Sequence, residues 1–230
     1  MSDHTDDNMD FSSILASTVH DMKNSLSSVI NTLDDLTTEF EETLQSNKKI
    51  ASLKYESKRL NNQLIVLLTL YKLENRQYSL SVEDHPVKEF LEDAVLPYQE
   101  LLELNNIALT INCDNHAVWF FDENLLAGVI GNIINNAYRY TEDTIAIYAE
   151  IKENQLHISI EDNGPGFPQE LLDKTSPTKK SISFQSGSTG LGLYFSQRIA
   201  EMHKNKNNRG YIQIDNLGIN NGGRFSLVLP

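Results

Sequence analysis

Val19, Met22, Leu26, Val29, Leu33, Leu36 and Phe40 follow one another at alternating steps of three and four residues. An apolar seam of that period can be buried only by a helix lying along another helix. The pattern breaks in a polar stretch, Gln45-Ser46-Asn47-Lys48-Lys49, and resumes as Ile50, Leu53, Ser57, Leu60, Leu64, Leu67 and Tyr71. Two such helices on a short polar link predict an antiparallel hairpin. Ile65, Leu68, Leu70 and Leu73 add a further apolar stripe to the second helix. One hairpin cannot cover that surface, whereas a homodimer forming a four-helix bundle can; the plainer reading is a helical pair packed on the rest of its own chain. The hairpin is placed at 11–76, after an acidic, polar segment 1–10 that is expected to be disordered.

After Asn75 the character changes. Tyr78–Val82, Ile107–Asn112, Val118–Phe121, Thr144–Ile151, Leu156–Asp162, Tyr211–Asp215 and Arg224–Leu229 read as strands. Helices are expected from Pro86 to about Asn105, from Asp122 to Tyr140 and from Leu191 to His203. Glu153-Asn154 marks a turn, and a loop spans Gly164–Thr189. Strands and helices mix without strict alternation, so the segment 80–230 is read as a second, α+β domain.

The 230 residues carry a net charge of −13, which disfavours a general nucleic-acid binder. Cys113 is the single cysteine, so neither a disulfide scaffold nor a multi-cysteine zinc site is available. The longest apolar run, Leu64–Leu70, is interrupted by Thr69 and too short to cross a bilayer. The N-terminus lacks the basic start and apolar stretch of a signal peptide. A cytoplasmic location is expected.

Three clusters in the second domain carry chemistry. Asn132, Asn136 and Arg139 recur on one helical face, with Asn135 beside them. An amide oxygen suits Mg²⁺ and a guanidinium suits phosphate, although a solvated helix face can look the same. In the strand Leu156-x-Ile158-x-Ile160-x-Asp162 the alternation turns Asp162 inward. A buried carboxylate needs a donor such as an adenine amine, and Gly164 and Gly166 let backbone approach a ring closely. An Asx turn at the strand end is the plainer reading. Third, Gly187-Ser188-Thr189-Gly190-Leu191-Gly192-Leu193 leads into a helix, whose N-terminal amides can face an anion. Lys174, Lys179 and Lys180 precede it in a stretch long enough to be a lid or disordered.

Order and spacing together identify what each cluster alone does not. Asn132-Ile-Ile-Asn-Asn136-Ala-Tyr-Arg-Tyr140 resembles the N box of the ATPase domain shared by sensor histidine kinases, gyrase and heat-shock chaperones. Asp162-Asn-Gly-Pro-Gly166 resembles its G1 box and Gly190-Leu-Gly192-Leu its G2 box. Gly222-Gly223-Arg-Phe-Ser-Leu-Val-Leu-Pro230 is similar to the closing strand of histidine kinases. The resemblance implies a Bergerat fold, a sandwich of mixed sheet and helices that holds ATP. It further implies that Asn136 holds Mg²⁺ and that Asn132 and Arg139 contact phosphates. Tyr140 and Asp162 would contact adenine, with Gly164, Gly166, Thr189, Gly190, Leu191 and Gly192 completing the site.

His20 falls beside the first seam, with Asp21 next to it and Asn24 one turn on. Val19 and Met22 are expected to point inward. An exposed helical histidine is ordinarily a surface residue. Here Val19-His20-Asp21-Met22-Lys23-Asn24-Ser25-Leu26 resembles the H box of histidine kinases. That similarity implies that His20 takes the γ-phosphoryl group, that Asp21 acts as base, and that Asn24 orients water for dephosphorylating a partner. The family often has Arg-Thr-Pro where this chain has Lys23-Asn24-Ser25. His4, His85, His116, His157 and His203 are read as structural or surface residues.

The expectation is therefore a soluble histidine kinase that passes the group to an aspartate of a response regulator. Its domains are swung together by a hinge near 75–80. The hairpin follows residue 10 directly, so the signal is expected through a separate sensory protein or the hairpin's own surface. Two alternatives remain: a phosphotransfer or scaffold protein with a degenerate ATP domain, and a serine kinase of the anti-sigma type.

Overall fold

The computed structural model describes residues 19, 21–33, 48–172 and 191–230. The chain divides into two compact units, Met1–Ser79 and Leu80–Pro230. Segment 1–10, His20, Gln45-Ser46-Asn47 of the predicted polar link and most of the glycine-rich loop, Thr189 and Gly190 included, lie outside the described residues, while Lys48 and Lys49 of the link are helical.

In the first unit, helix α1 spans 21–33 and helix α2 spans Lys48–Glu74. Helix α2 ends on Arg76, which takes a left-handed conformation (φ 55°). The Gln77 amide donates to the Lys72 carbonyl at 2.8 Å and the Arg76 amide to Leu73 at 3.2 Å. These two bonds make a Schellman cap without glycine. Val19 and Ile30, and Tyr55, Ser57, Val66 and Leu70, are buried. Met22 and Leu53 are 53% and 54% exposed, and Val29 and Leu60 nearly as much. Met22 is thus uncovered within the single chain. The apolar stripe is wider than a single chain covers.

The second unit opens with strand β1 (Glu83–Pro86), helix α3 (Val87–Val95), a 3₁₀ turn (Leu96–Tyr98) and helix α4 (Gln99–Leu104). Strand β2 (Ala108–Cys113), strand β3 (Val118–Phe121) and helix α5 (Glu123–Tyr140) follow. Next come strands β4 (Thr144–Lys152) and β5 (Gln155–Asp162) and the single turn α6 (Gln169–Leu172). Helix α7 (Leu191–Met202), the short hairpin β6 (Lys204–Asn205) and β7 (Asn208–Arg209), and strands β8 (Tyr211–Asp215) and β9 (Arg224–Leu229) complete it.

Several boundaries differ from expectation for local reasons. Segment 78–82 is irregular, because the short strand β3 pairs instead with Glu83–Pro86. The Ser81 amide is held by the Asp122 carboxylate at 2.9 Å. The helix expected from Pro86 to Asn105 breaks at Leu96–Tyr98. Pro97 there has no N–H to continue an α-helical ladder. The turn α6 lies within the expected loop, and the β6–β7 hairpin was not anticipated.

The main sheet runs β2-β4-β5-β9-β8, with β2 parallel to β4 and the other pairs antiparallel. Glu153 and Asn154 adopt φ of 51° and 59°, the geometry of a tight two-residue hairpin. Register aligns Ile147, Ile160, Phe225 and Ile214 in one row, and Ala149, Ile158, Leu227 and Ile212 in the next. That face is buried under helices. Helix α5 contributes Leu126, Val129, Ile130, Ile133 and Ile134, and helix α7 contributes Phe195 and Ile199. Each set repeats at helical spacing, so one stripe of each helix meets the apolar face.

Candidate nucleotide-binding site

Helix α5 is started by Asp122, whose Oδ1 accepts the Leu125 amide at 3.0 Å. The cap fixes where the helix begins, and hence which turns carry the asparagines. Asn132 is partly buried. Its Nδ2 is fully shielded and has no hydrogen-bond partner among the described residues. A side-chain methyl at Gly192 would collide with that same amide, so α7 starts in direct contact with the Asn132 side chain. The Asn132 and Gly192 clusters are thus neighbours, although 60 residues separate them in sequence.

Asn136 lies one turn further along α5 and is partly buried. Arg139 and Tyr140 end the helix at its exposed edge, with the guanidinium carbon 5.5 Å from the Tyr140 ring centre. Asn135 departs from the expected stripe. It is buried, and its amide donates to the Gly131 carbonyl at 2.8 Å and to the Tyr98 hydroxyl at 3.4 Å. A residue adjacent to Asn136 points about 100° away from it around the helix, which removes Asn135 from the polar face.

Asp162 sits at the end of β5, partly buried. Its Oδ1 accepts the Gly164 amide at 2.8 Å and the Gly223 amide at 3.3 Å. Burial pushes its carboxyl above the usual aspartate value, and the two amide hydrogen bonds oppose that shift. Oδ2 accepts from no described residue, so one oxygen remains for an outside donor. Gly164 packs so closely under the Tyr140 carbonyl that any side chain there would overlap it. This joins the end of α5 to the Asp162 loop.

Three further residues shape the site. Gly223, which the sequence marks only as part of the closing strand, supplies an amide to Asp162. Asn163 lies within the motif 162–166, where no local pattern assigns it a role. Its Oδ1 accepts from Thr141 Oγ1 at 2.7 Å and from the amides of Glu142, Asp143 and Thr144 at 3.1 to 3.2 Å. Its Nδ2 donates to Asp143 at 2.8 Å; the Thr144 hydroxyl first, and this bond second, hold the Asp143 carboxyl below its usual value. Asn163 therefore ties the α5–β4 turn to the end of β5. Asn216 lies 49 residues from its partner Phe167, and no local pattern marks it.

Gly166 takes φ of +77°, a conformation that favours glycine. Leu191 and Gly192 open α7, and the Ser196 hydroxyl donates to the Gly192 carbonyl at 2.9 Å. Asp21 and Asn24 are exposed on α1. Lys174, Lys179, Lys180, Thr189 and Gly190 are not among the described residues, nor is His4. Of the remaining histidines, His116 is exposed, His85 stacks on Phe121 at 4.9 Å, and His203 is buried and hydrogen-bonded.

Residues 121–230 match the family described as histidine kinase-, DNA gyrase B-, and HSP90-like ATPase. Sensor protein SrrB of Staphylococcus aureus is 29% identical over 177 residues, covering 74% of this chain and 30% of SrrB. The chain thus spans under a third of the length of the curated relatives it matches. The catalytic domain of histidine kinase ThkA aligns at TM-score 0.56 and 24% identity, covering 65% of this chain and 97% of that one. Acinetobacter baumannii histidine kinase AdeS aligns at TM-score 0.59 and 20% identity, covering 90% of this chain and 95% of that one. Those two likenesses are likenesses of fold. No described helix is long and apolar enough to cross a membrane. The matched segment and the sheet topology agree: residues 121–230 form a domain similar to the histidine kinase-, DNA gyrase B-, and HSP90-like ATPases, with the fold of histidine kinase catalytic domains.

Proposed function

We propose that this chain is a homodimeric, cytoplasmic histidine kinase. It takes the γ-phosphoryl group of ATP onto His20 and passes it to an aspartate of a response-regulator receiver domain. Removing that group from the regulator is a second activity. The observation that carries the reading is the Asn132 amide, buried against Gly192 without a partner among the described residues. A shielded donor left unpaired is destabilising, and a phosphate oxygen supplies the missing acceptor.

In this reading Asn132 and Arg139 donate to phosphate oxygens, and amides of Thr189, Gly190, Leu191 and Gly192 face the same anion. Asn136 fits Mg²⁺, because its side chain makes no hydrogen bond to a described residue and its amide oxygen is a hard ligand. The ion, when bound, neutralises charge on the phosphates. Asp162 Oδ2 accepts the adenine amine, and Tyr140, Gly164 and Gly166 border the base. One nitrogen of the neutral His20 imidazole attacks the γ-phosphorus as the bond to the ADP oxygen breaks. Asp21 takes the proton from the other ring nitrogen. Asn24 orients water for the phosphatase step. The exposed Met22, Val29, Leu53 and Leu60 are the surface on which two chains pair.

The test is incubation of the full chain with Mg²⁺ and γ-labelled ATP. Acid-labile label should appear, be absent from His20→Ala, and move to a receiver domain. An unlabelled wild type would leave the phosphotransfer-scaffold reading. Acid-stable label on a partner's serine would leave the serine-kinase reading.

A further inference from the structure

We infer that Asn216 is a positioning residue for base recognition and acts through Phe167; the inference rests on the nucleotide-binding reading above. Asn216 lies just past β8 in the loop that leads to β9. Its Oδ1 accepts the Phe167 amide at 2.6 Å, and its Nδ2 donates to the Phe167 carbonyl at 3.0 Å. One side-chain amide thus satisfies both backbone groups of one residue, as a neighbouring strand would. The preceding Gly166 is fitted to the clamp. A methyl there would come within 2.6 Å of Asn216 Cγ, and the φ of +77° already disfavours any side chain.

The clamp bears on the base because of where the Phe167 ring lies. A methyl on Gly223 would sit 3.2 Å from Phe167 Cε2 and 2.8 Å from Asp162 Oδ2. The ring edge and the unused carboxylate oxygen therefore flank the same patch of Gly223 backbone. Asp162 Oδ2 can accept from the amine of adenine, whereas guanine presents a carbonyl oxygen at the corresponding place. That distinction is sharp only while the base is kept from sliding past the carboxylate. Phe167 is the wall that prevents the slide, and Asn216 holds the wall's backbone. Asn216 touches no nucleotide itself.

The experiment titrates ATP and GTP, each with Mg²⁺, into the full-length wild type, Asn216→Ala, Phe167→Ala and the double variant. Melting curves accompany each titration. The wild type should prefer ATP. Asn216→Ala should lose about tenfold in ATP affinity, as expected for two lost hydrogen bonds, with little change for GTP. In the Phe167→Ala background the same change should have little further effect, since both residues act through one wall. If Asn216→Ala does not fold, Asn216→Ser carries the same comparison. Amide exchange in the nucleotide-free protein should show the Phe167 N–H exposed by the Asn216 change. Equal losses for ATP and GTP, or additive losses in the double variant, would reduce Asn216 to a structural role and overturn the proposal. An unchanged Phe167 amide would overturn the clamp. A wild type that binds neither nucleotide, with the Phe167 amide still released by the variant, would overturn the nucleotide-binding reading and this inference with it.

Discussion

His203 accepts the backbone amide of Asp122 on its Nε2 at 3.0 Å, while its Nδ1 donates to the Ile199 carbonyl at 2.8 Å. The ring is 3% exposed and neutral, with the proton on Nδ1. This pair joins the C-terminal end of α7 to the residue that caps α5. At the start of α7, Gly192 meets Asn132, which lies midway along α5. The two helices are thus joined at both ends of α7.

Burial lowers the pKa of His203 from 6.5, outweighing the raising effects of the Ile199 carbonyl and Asp122. The unfolded chain therefore binds this proton at higher pH than the folded one. The contribution of neutral His203 to stability is fully present above 6.5 and is lost as pH falls from there towards the folded value. Urea unfolding from pH 8 to 5 should show wild-type stability falling below neutrality, by at most about 1.4 kcal/mol per pH unit from this group. His203→Gln should be less stable at pH 8, by about 1–3 kcal/mol, and should flatten that dependence. Parallel curves for the two proteins would show that His203 does not titrate with folding.

Gly192→Ala forces a methyl into the Asn132 side chain. The contact can be relieved only by moving α7 or turning the amide, at about 1–3 kcal/mol. ATP affinity should fall about tenfold or more, with only a small drop in melting temperature, in nucleotide titrations paired with thermal scans. Unchanged ATP affinity would separate Asn132 from the phosphate site.

Asp162→Asn replaces the carboxylate with an amide and should lower ATP affinity about 10- to 100-fold, the loss of a charge-assisted hydrogen bond. Protonation of Asp162 has the same effect, since it places a proton on an acceptor. Its pKa is raised by burial, so ATP affinity should be full above that raised value and fall below it. The fall should begin at higher pH than for an ordinary aspartate. The acid limb that vanishes in Asp162→Asn is the part belonging to this residue.

Asn163→Ala removes an acceptor shared by a hydroxyl and three backbone amides. Several donors lose their partner at once, so the expected destabilisation is about 2–4 kcal/mol. That corresponds to roughly 5–15 °C in melting temperature for a unit of this size. Asn163→Asp keeps the acceptor but sets a carboxylate against Asp143 in place of a hydrogen bond, so it should recover only part of the loss in the same scan.

Leu60→Glu places a charge on the exposed apolar stripe of α2, where Leu60 is 46% exposed in the single chain. If two chains pair through that stripe, sedimentation should show a dimer for the wild type and a shift to monomer for the variant. A wild-type monomer at micromolar concentration would remove the pairing surface from the functional scheme.

Much of the second unit was legible because its signals are local. Alternation in Leu156-x-Ile158-x-Ile160-x-Asp162 placed β5 and turned Asp162 inward, as pleating requires. Asp122 marked the start of α5, and the Glu153-Asn154 turn marked the β4–β5 hairpin. The errors arose where a partner outside the local window decided the outcome. Segment 78–82 alternates like a strand but has no strand to pair with. Asn135 resembles its neighbours in composition, yet the rotation of the helix sends it to Tyr98.

What the order of residues settled was the identity of the chemical groups: two asparagines a turn apart, one carboxylate at a strand end, and glycines where backbone comes close. Periodicity and spacing hold that information, because they describe a residue relative to its near neighbours. Which groups meet was decided by the folded chain. Gly192 lies under Asn132, Gly223 shares Asp162 with Gly164, Asn216 grips Phe167 and His203 grips Asp122. Each pair unites positions dozens of residues apart, brought together by helix packing and strand register, and no local pattern encodes such a contact.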